Sequence, residues 1–436
     1  MAKVSQFDGR LVVLSTDTRI TPFNEHAKLS IFTDKTIEAW QHEAAKSARL
    51  ELITASTPRE AAELIVAIPS NQYGVLILDR HYMTPKILRD FIRVAKKSNN
   101  EISRLSLTRN ASVEYTEPLQ TVSRNGEQVA HDIYFFNGSH SIELANIDET
   151  WLDVLRGSAT WIDTPKKEIV RTIPLPTIGE RDATVMRYPV TTSIVVSVEH
   201  WVHILWLNQL SFGIRWVDLV LRQRPVWAFF RAISAFSFNI ENIMHRLVSR
   251  GSGCQIHPTS YISASIIEDG AVIGPNVTIR NSYIGKNAVI QDHAVILNSV
   301  VGEDALILEN TFLVSSTCYP ESTVGNYKLQ VSLVGRGAYV NAWAGFVDAK
   351  FVGSVNVQHK GKLASAERSF LGSVVGHRAK VAAKVLIHPG REIPNDTVIV
   401  MRPDEIVSVV PENIEPNQPM VRSGGTLVPL GTENTK

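Results

Sequence analysis

The chain has 436 residues, 44% of them apolar, with 44 Lys and Arg against 43 Asp and Glu and a net charge of +1. The length provides for two or three domains with ample core, and the near-neutral balance speaks against a surface built to hold a polyanion. Two cysteines, Cys254 and Cys318, exclude a disulfide framework. Residues 1–10 show no charged segment leading into an apolar stretch, so no secretory signal is expected and a cytoplasmic protein is the simplest reading.

Leu11–Leu14 and Val75–Leu78 read as short buried strands. Helical patterns lie over 35–48, 58–66 and 85–97, and further short strands near 103–107 and 132–136. Strands alternating with helices predict a parallel, Rossmann-like α/β layer over residues 1–165. Pro165, Pro174, Pro176 and Pro189 mark an irregular connection, with domain boundaries expected near 165 and 250.

The connecting segment, 166–250, is rich in aromatic residues from 194 to 248, among them Trp201, Trp206, Trp216, Trp227, Phe229 and Phe238. His200, His203, Asn208, Arg215 and Asp218 interrupt it, so no apolar run reaches the roughly 20 residues needed to cross a bilayer. Two or three helices are predicted, broken near Gly213 and Pro225. Trp and Arg mixed on such helices suit a membrane interface, giving a peripheral membrane contact. The ordinary alternative packs them against the end of the following domain or against the N-terminal domain. Glu199, His200 and His203 fall one helical turn apart, a spacing that can hold a metal, but no third ligand accompanies them.

From Ile256 the pattern changes. Ile256, Ile262, Ile267, Ile273, Ile279, Ile284, Ile290, Ile296, Val301, Ile307 and Leu313 are spaced six, six and five apart, and the hexads beginning at Ile267, Ile284 and Val301 repeat every 17 residues. The position four after each aliphatic is usually small, as at Ala271, Ala288, Ala294 and Ala305. This predicts a solenoid of three short strands per coil over 251–402, each coil covering the apolar face of the last. Cys318 falls on the ladder and reads as a small buried hydrophobe. A second ladder runs through Val375, Val381, Ile387, Ile393 and Ile399. Residues 341–372 lose the pattern, so an excursion is expected there. The tail 403–436 is rich in Pro, Gly, Asn and Thr and is expected to lack a fixed fold.

These hexads resemble those of the hexapeptide-repeat, left-handed parallel β-helix proteins. The resemblance implies the left hand, a homotrimer through the β-helix and, in many members, transfer of an acyl group from acyl-CoA bound between neighbouring coils with a His as general base. His359, in the broken stretch, is then the candidate base, and Lys360 and Lys362 would meet the phosphates of CoA. His293 falls at a corner position shared with Asn276, Asn287 and Asp304, and His257 and His388 also read as corner residues.

The N-terminal stretch Leu11-Val-Val-Leu-Ser-Thr-Asp-Thr-Arg-Ile-Thr-Pro22 resembles the opening of the sugar-nucleotide nucleotidyltransferases, and the domain order resembles that of the bifunctional glucosamine-phosphate uridyltransferase/acetyltransferase architecture. That resemblance implies transfer of a nucleotide from an NTP to a sugar phosphate with release of pyrophosphate, in the metabolism of envelope polysaccharide precursors. Thr18 would contact substrate, Arg19 the leaving pyrophosphate and Lys28 the sugar phosphate, while Asp79 would hold Mg2+. A second metal-binding carboxylate has no motif; Asp148, Asp153 and Asp163 are its candidates. The match departs at the phosphate-binding turn. The family's glycines are replaced by Ser15-Thr16-Asp17, which removes backbone donors and sets a negative charge where phosphate oxygens would lie. Each charged hydrogen bond lost costs about 1.5–3 kcal/mol, so the expectation includes a domain that binds or scaffolds without turnover. Three readings thus stand: nucleotidyl transfer, acyl transfer through His359, and a non-catalytic trimeric scaffold or nucleotide-sugar-binding protein.

Overall fold

The computed structural model describes residues 7–137, 147–174 and 185–430; the predicted Pro176 break and the last residues of the tail fall outside these. Residues 9–163 form a mixed sheet in the order Thr160–Asp163, Ile102–Thr108, Gln128–Phe136, Tyr73–Leu78, Gly9–Leu14, Leu50–Ala55. Gly9–Leu14 is parallel to both its neighbours. Gln128–Phe136 runs antiparallel to Tyr73–Leu78 and to Ile102–Thr108, so the expected all-parallel layer is corrected to a mixed one. The antiparallel strand follows a short hairpin from Ser123–Asn125, turning at Gly126, a connection too short for a parallel crossover.

The helices lie where the periodicity places them. Ile37–Ser47 begins on Thr36, whose hydroxyl accepts from Ala39 N–H, and Pro58–Val66 begins on Thr57, which accepts from Glu60 N–H. Pro85–Ser98 turns Ile87, Leu88, Phe91, Ile92 and Ala95 onto the sheet and stops at Asn99 with φ 54°.

Beyond residue 248 the chain winds into a three-faced coil of stacked parallel strands, consistent with a left-handed β-helix. Two faces carry eight strands each, from Ser249–Arg250 to Glu392–Ile393 and from Gln255–Ile256 to Val398–Ile399. The ladder residues fill the interior: Ile279, Ile284, Ile296, Val301, Ile307, Leu313 and Val324 are all fully buried, and Cys318 sits among them. His293 turns a corner with φ 60°, as do Asn276, Asn287 and Asp304. Between the two ladders the sequence keeps the pattern only at Val324-Gly-Asn and Val334-Gly-Arg-Gly-Ala-Tyr-Val340, yet the coil runs on without a break. It continues through Leu329, Val334, Val340 and Phe346, and Leu333–Val334 pairs directly with Val374–Val375. Residues 347–372 are therefore an insertion at one corner, carrying the hairpin Asn356–His359/Lys362–Ser365. A second hairpin, Met420–Ser423/Thr426–Pro429, orders part of the tail, because Gly424 and Gly425 both adopt the positive φ its two-residue turn requires.

Inside the coil a column of hydroxyls was not foreseen. Ser265, Ser282, Ser299, Ser316, Ser332 and Ser373 are buried one above another. Each Oγ but the last accepts from the next serine's N–H at 3.1–3.2 Å, and Ser373 Oγ donates to the His388 carbonyl at 2.9 Å.

The N-terminal layer docks on the side of the β-helix, along the face carrying Tyr283, Val300, Leu333 and Val374, whose outward side chains are buried. The aromatic helix Trp201–Gln209 lies in this seam with every residue buried, so it has no polar face to expose. It touches the flank of the β-helix rather than its end. The predicted break near Gly213 is instead a passage into π-helical turns, Phe212–Val217 and Leu219–Gln223. Gly213 is needed there because a Cβ would meet the Thr191 backbone at 2.8 Å.

Candidate functional site

An open α/β sheet offers its ligand crevice outside the carboxyl ends of the strands, where successive connections leave in opposite directions. Here that point lies between Gly9–Leu14 and Tyr73–Leu78, since Leu50–Ala55 flanks the first strand on its other side. Ser15, Thr16 and Asp79 occupy it. Asp79 is only 3% exposed. The Thr16 hydroxyl donates to its Oδ1 at 2.6 Å and the Ser15 hydroxyl to its Oδ2 at 3.2 Å. The Arg80 guanidinium donates to Thr18 Oγ1 at 3.2 Å. Magnesium demands near-octahedral oxygen ligands and usually retains several waters. A buried carboxylate with a hydroxyl on each oxygen does not fit that ion.

Arg19 turns away from Asp79. Its guanidinium meets Asp17 at 3.4 Å, the Asn24 carbonyl at 3.2 Å and His26 Nε2 at 3.2 Å, within the small hairpin Arg19–Ile20/Glu25–His26. Lys28 is half-buried in the turn after this hairpin. The hairpin itself is clamped on the β-helix. Phe23 stacks on His377 at 4.5 Å and on Tyr319 at 5.5 Å, and Asn395 donates to the Phe23 carbonyl at 2.7 Å. Glu25 lies 3.4 Å from His377, and Ile31 N–H donates to the Tyr319 hydroxyl at 2.8 Å. Thr18 is thus brought near Asp79, whereas Arg19 serves the docked hairpin. Of the spare carboxylates, Asp153 pairs with Arg156, Asp148 accepts from Thr150 at its own turn, and Asp163 accepts from Thr108 on the outermost strand pair.

His359 belongs to the inserted hairpin and sits against His200, ring centroids 5.5 Å apart. Burial, with the nearby His200 and Lys360 charges, pushes its imidazole below the ordinary histidine range. Lys360 reaches back to the N-terminal unit, 3.6 Å from Glu199 and 3.3 Å from Thr121 Oγ1. Lys362 is exposed. His200 Nε2 donates to the Gln358 carbonyl at 2.9 Å and lies 3.3 Å from Glu392. His203 accepts at Nδ1 from the Glu199 and His200 N–H groups and donates from Nε2 to the Pro118 carbonyl at 2.8 Å. Both its nitrogens are occupied by backbone, and burial lowers its pKa to about 3. Glu199, despite its burial, is held down to about 2 by Arg80 and Thr121. This cluster joins the insertion to the N-terminal unit.

The seam also contains a cavity of about 280 Å³, lined by Tyr115, Trp206, Gln209, Arg187 and Arg368. Arg368 stacks on Tyr115 at 4.2 Å and on Trp206 at 5.3 Å, and donates from Nη2 to the Tyr115 carbonyl at 2.6 Å. Its buried Nε has no partner, and burial lowers its pKa. A guanidinium stacked on two aromatic rings in a cavity wall suits a planar anion such as a carboxylate or a phosphate edge. Glu114 and Glu367 lie on the same rim and limit how much negative charge can enter. Arg368 lies in the stretch where the repeat is interrupted, so no spacing marks it. A second, more polar cavity of about 530 Å³ carries Lys35, Lys86, Arg89, Arg215 and Arg222. Glu43, Asp90, Asp34 and Asp218 pair with all of these but Arg89, which bonds Ser47.

Residues 241–331 match the family model of the GMPPB C-terminal domain. The matched stretch runs from the helix Ile240–Arg246 through the coils to Val331, so it is the β-helix that carries the likeness to the sugar nucleotidyltransferase family. No curated protein matches the chain.

Proposed function

We propose that this is a sugar-nucleotidyltransferase-like protein whose N-terminal layer does not transfer nucleotides and instead serves as a fixed bracket on a β-helical scaffold. The observation that carries this reading is Asp79: both carboxylate oxygens accept hydroxyls and the group is 3% exposed, so the position the family uses for its metal is closed. The hairpin that follows, which the family aligns with phosphate, lends support because Phe23 fastens it to the β-helix. The Arg368 cavity would let the bracket hold a small anionic ligand, such as a sugar-phosphate fragment, without turnover. The acyl-transfer alternative finds less support, since the His359 ring packs against His200 and Lys360 lies 3.6 Å from Glu199. Trimerisation through the β-helix belongs to the scaffold reading, and sedimentation equilibrium checks it.

The test is pyrophosphate release by the purified chain from a panel of NTPs and sugar 1-phosphates with Mg2+. The expected result is no release above the protein-free rate. Release that disappears in Asp79→Asn would overturn the proposal and restore nucleotidyl transfer.

A further inference from the structure

The outer surface of the helices just before the β-helix is apolar where it ought to be wet. In the helix Pro225–Ile233, Val226, Phe229, Phe230 and Ile233 lie on one face and are 68%, 61%, 66% and 54% exposed. In the loop that follows, Phe236 is 93% exposed and Phe238 fully so. The opposite side of the same helix is anchored: Ala228 packs with Phe212, Trp216, Val220 and Leu247, against Ala264 of the first coil. A helix apolar on both sides requires cover on both sides, and the described residues supply only one.

The charges say what the second cover is. Between Leu221 and Arg250 there are five arginines and a single carboxylate, Glu241. Arg222 pairs with Asp218 outside that window, and Glu241 accepts from the Tyr261 hydroxyl rather than from an arginine. Arg231 donates to the Arg246 carbonyl, and the Arg224 and Arg246 side chains are exposed. An aromatic row rimmed by arginines without countercharge is complementary to an interface of acyl chains under anionic headgroups. No helix among the described residues is long and apolar enough to cross a membrane, so the contact is in the plane of the interface. We propose that the outer face of residues 225–240 docks the protein on an anionic lipid surface.

The test is co-sedimentation of the full chain with phosphatidylcholine vesicles, with and without phosphatidylglycerol, at low and high salt. Partition into the mixed vesicles, weakened by salt and far lower on phosphatidylcholine alone, is expected. The double variant Phe236→Ser/Phe238→Ser should abolish it with an unchanged unfolding temperature, because those rings touch little of the fold. Arg224→Gln should reduce partition about fivefold, the effect of one charge near such a surface. Failure of the folded protein to partition overturns the proposal, as does equal partition into neutral vesicles. A concentration-dependent oligomer dispersed by the same double variant, without vesicle binding, also overturns it and assigns the face to a second copy of the chain.

Discussion

The Thr16 hydroxyl donates to Asp79 Oδ1 across 2.6 Å, joining the ends of two neighbouring parallel strands. The contact makes Asp79 a structural carboxylate. Asp79→Ala should therefore destabilise the chain, leaving the Ser15 hydroxyl without its acceptor and the Thr16 hydroxyl with Thr18 Oγ1 alone, at a cost of about 1.5–3 kcal/mol. Urea midpoints for the wild type and variant measure this. A variant as stable as the wild type would show that the carboxylate contributes nothing to the fold and is free for another role.

The serine column makes a second prediction. Ser299 Oγ accepts from Ser316 N–H at 3.1 Å and donates to the Leu297 carbonyl at 2.8 Å, with both serines buried. Ser299→Ala would leave that N–H unsatisfied in the interior, costing about 1–3 kcal/mol. Guanidinium denaturation, with Ser252→Ala at an exposed serine as the control, separates the effect from general sensitivity. Equal stability of Ser299→Ala and Ser252→Ala would remove the column from the list of stabilising contacts.

Acid should loosen the N-terminal unit before it affects the coil. Burial lowers His81 to about 4 and His131 and His203 to about 3, so each is neutral in the fold and takes up a proton on unfolding below the ordinary histidine pKa of about 6.5. A depressed histidine contributes stability that is present above the unfolded pKa and lost as pH falls. The loss runs from about pH 6.5 downward, at up to about 1.4 kcal/mol per pH unit for each histidine. Glu199, depressed to about 2, adds a further loss below about pH 4.5. Unfolding midpoints at pH 7 and pH 5 check the sign; an unchanged or higher midpoint at pH 5 contradicts it.

The interior of the coil was legible because burial there obeys one spacing: every sixth or fifth residue points inward, and Ile279, Ile296 and Val301 declare it. Its continuation through Leu329 and Phe346 was hidden by one short corner and then by the insertion, which separates Phe346 from its stacking partner Ile387 without disturbing the register. The docking face was not legible. Outward residues Tyr283 and Val300 on the covered face look no more apolar than Val272 and Val289 on the partly exposed one, so composition cannot choose between them. Thr18, Arg19 and Asp79 were visible through their resemblance to a motif. What a motif does not carry is where the side chains turn: Asp79 into a pair of hydroxyls, Arg19 into its own hairpin.

The bracket reading makes Phe23 the residue that couples the two units. It is 3% exposed, stacked on His377 and Tyr319, and its carbonyl accepts from Asn395, which otherwise steadies the His377 N–H at 2.7 Å. Phe23→Ala removes a ring from the seam and leaves a cavity between two separately cored bodies, at a cost of about 3–5 kcal/mol. Because the β-helix interior and the N-terminal sheet each have their own apolar cluster, the loss should fall on their coupling and not on either core. Calorimetry should then show the N-terminal unit melting at a lower temperature, in a transition separated from that of the coil. A single transition shifted by less than a degree would mean that the helix Trp201–Gln209 holds the seam unaided, and that the hairpin is free to serve a ligand.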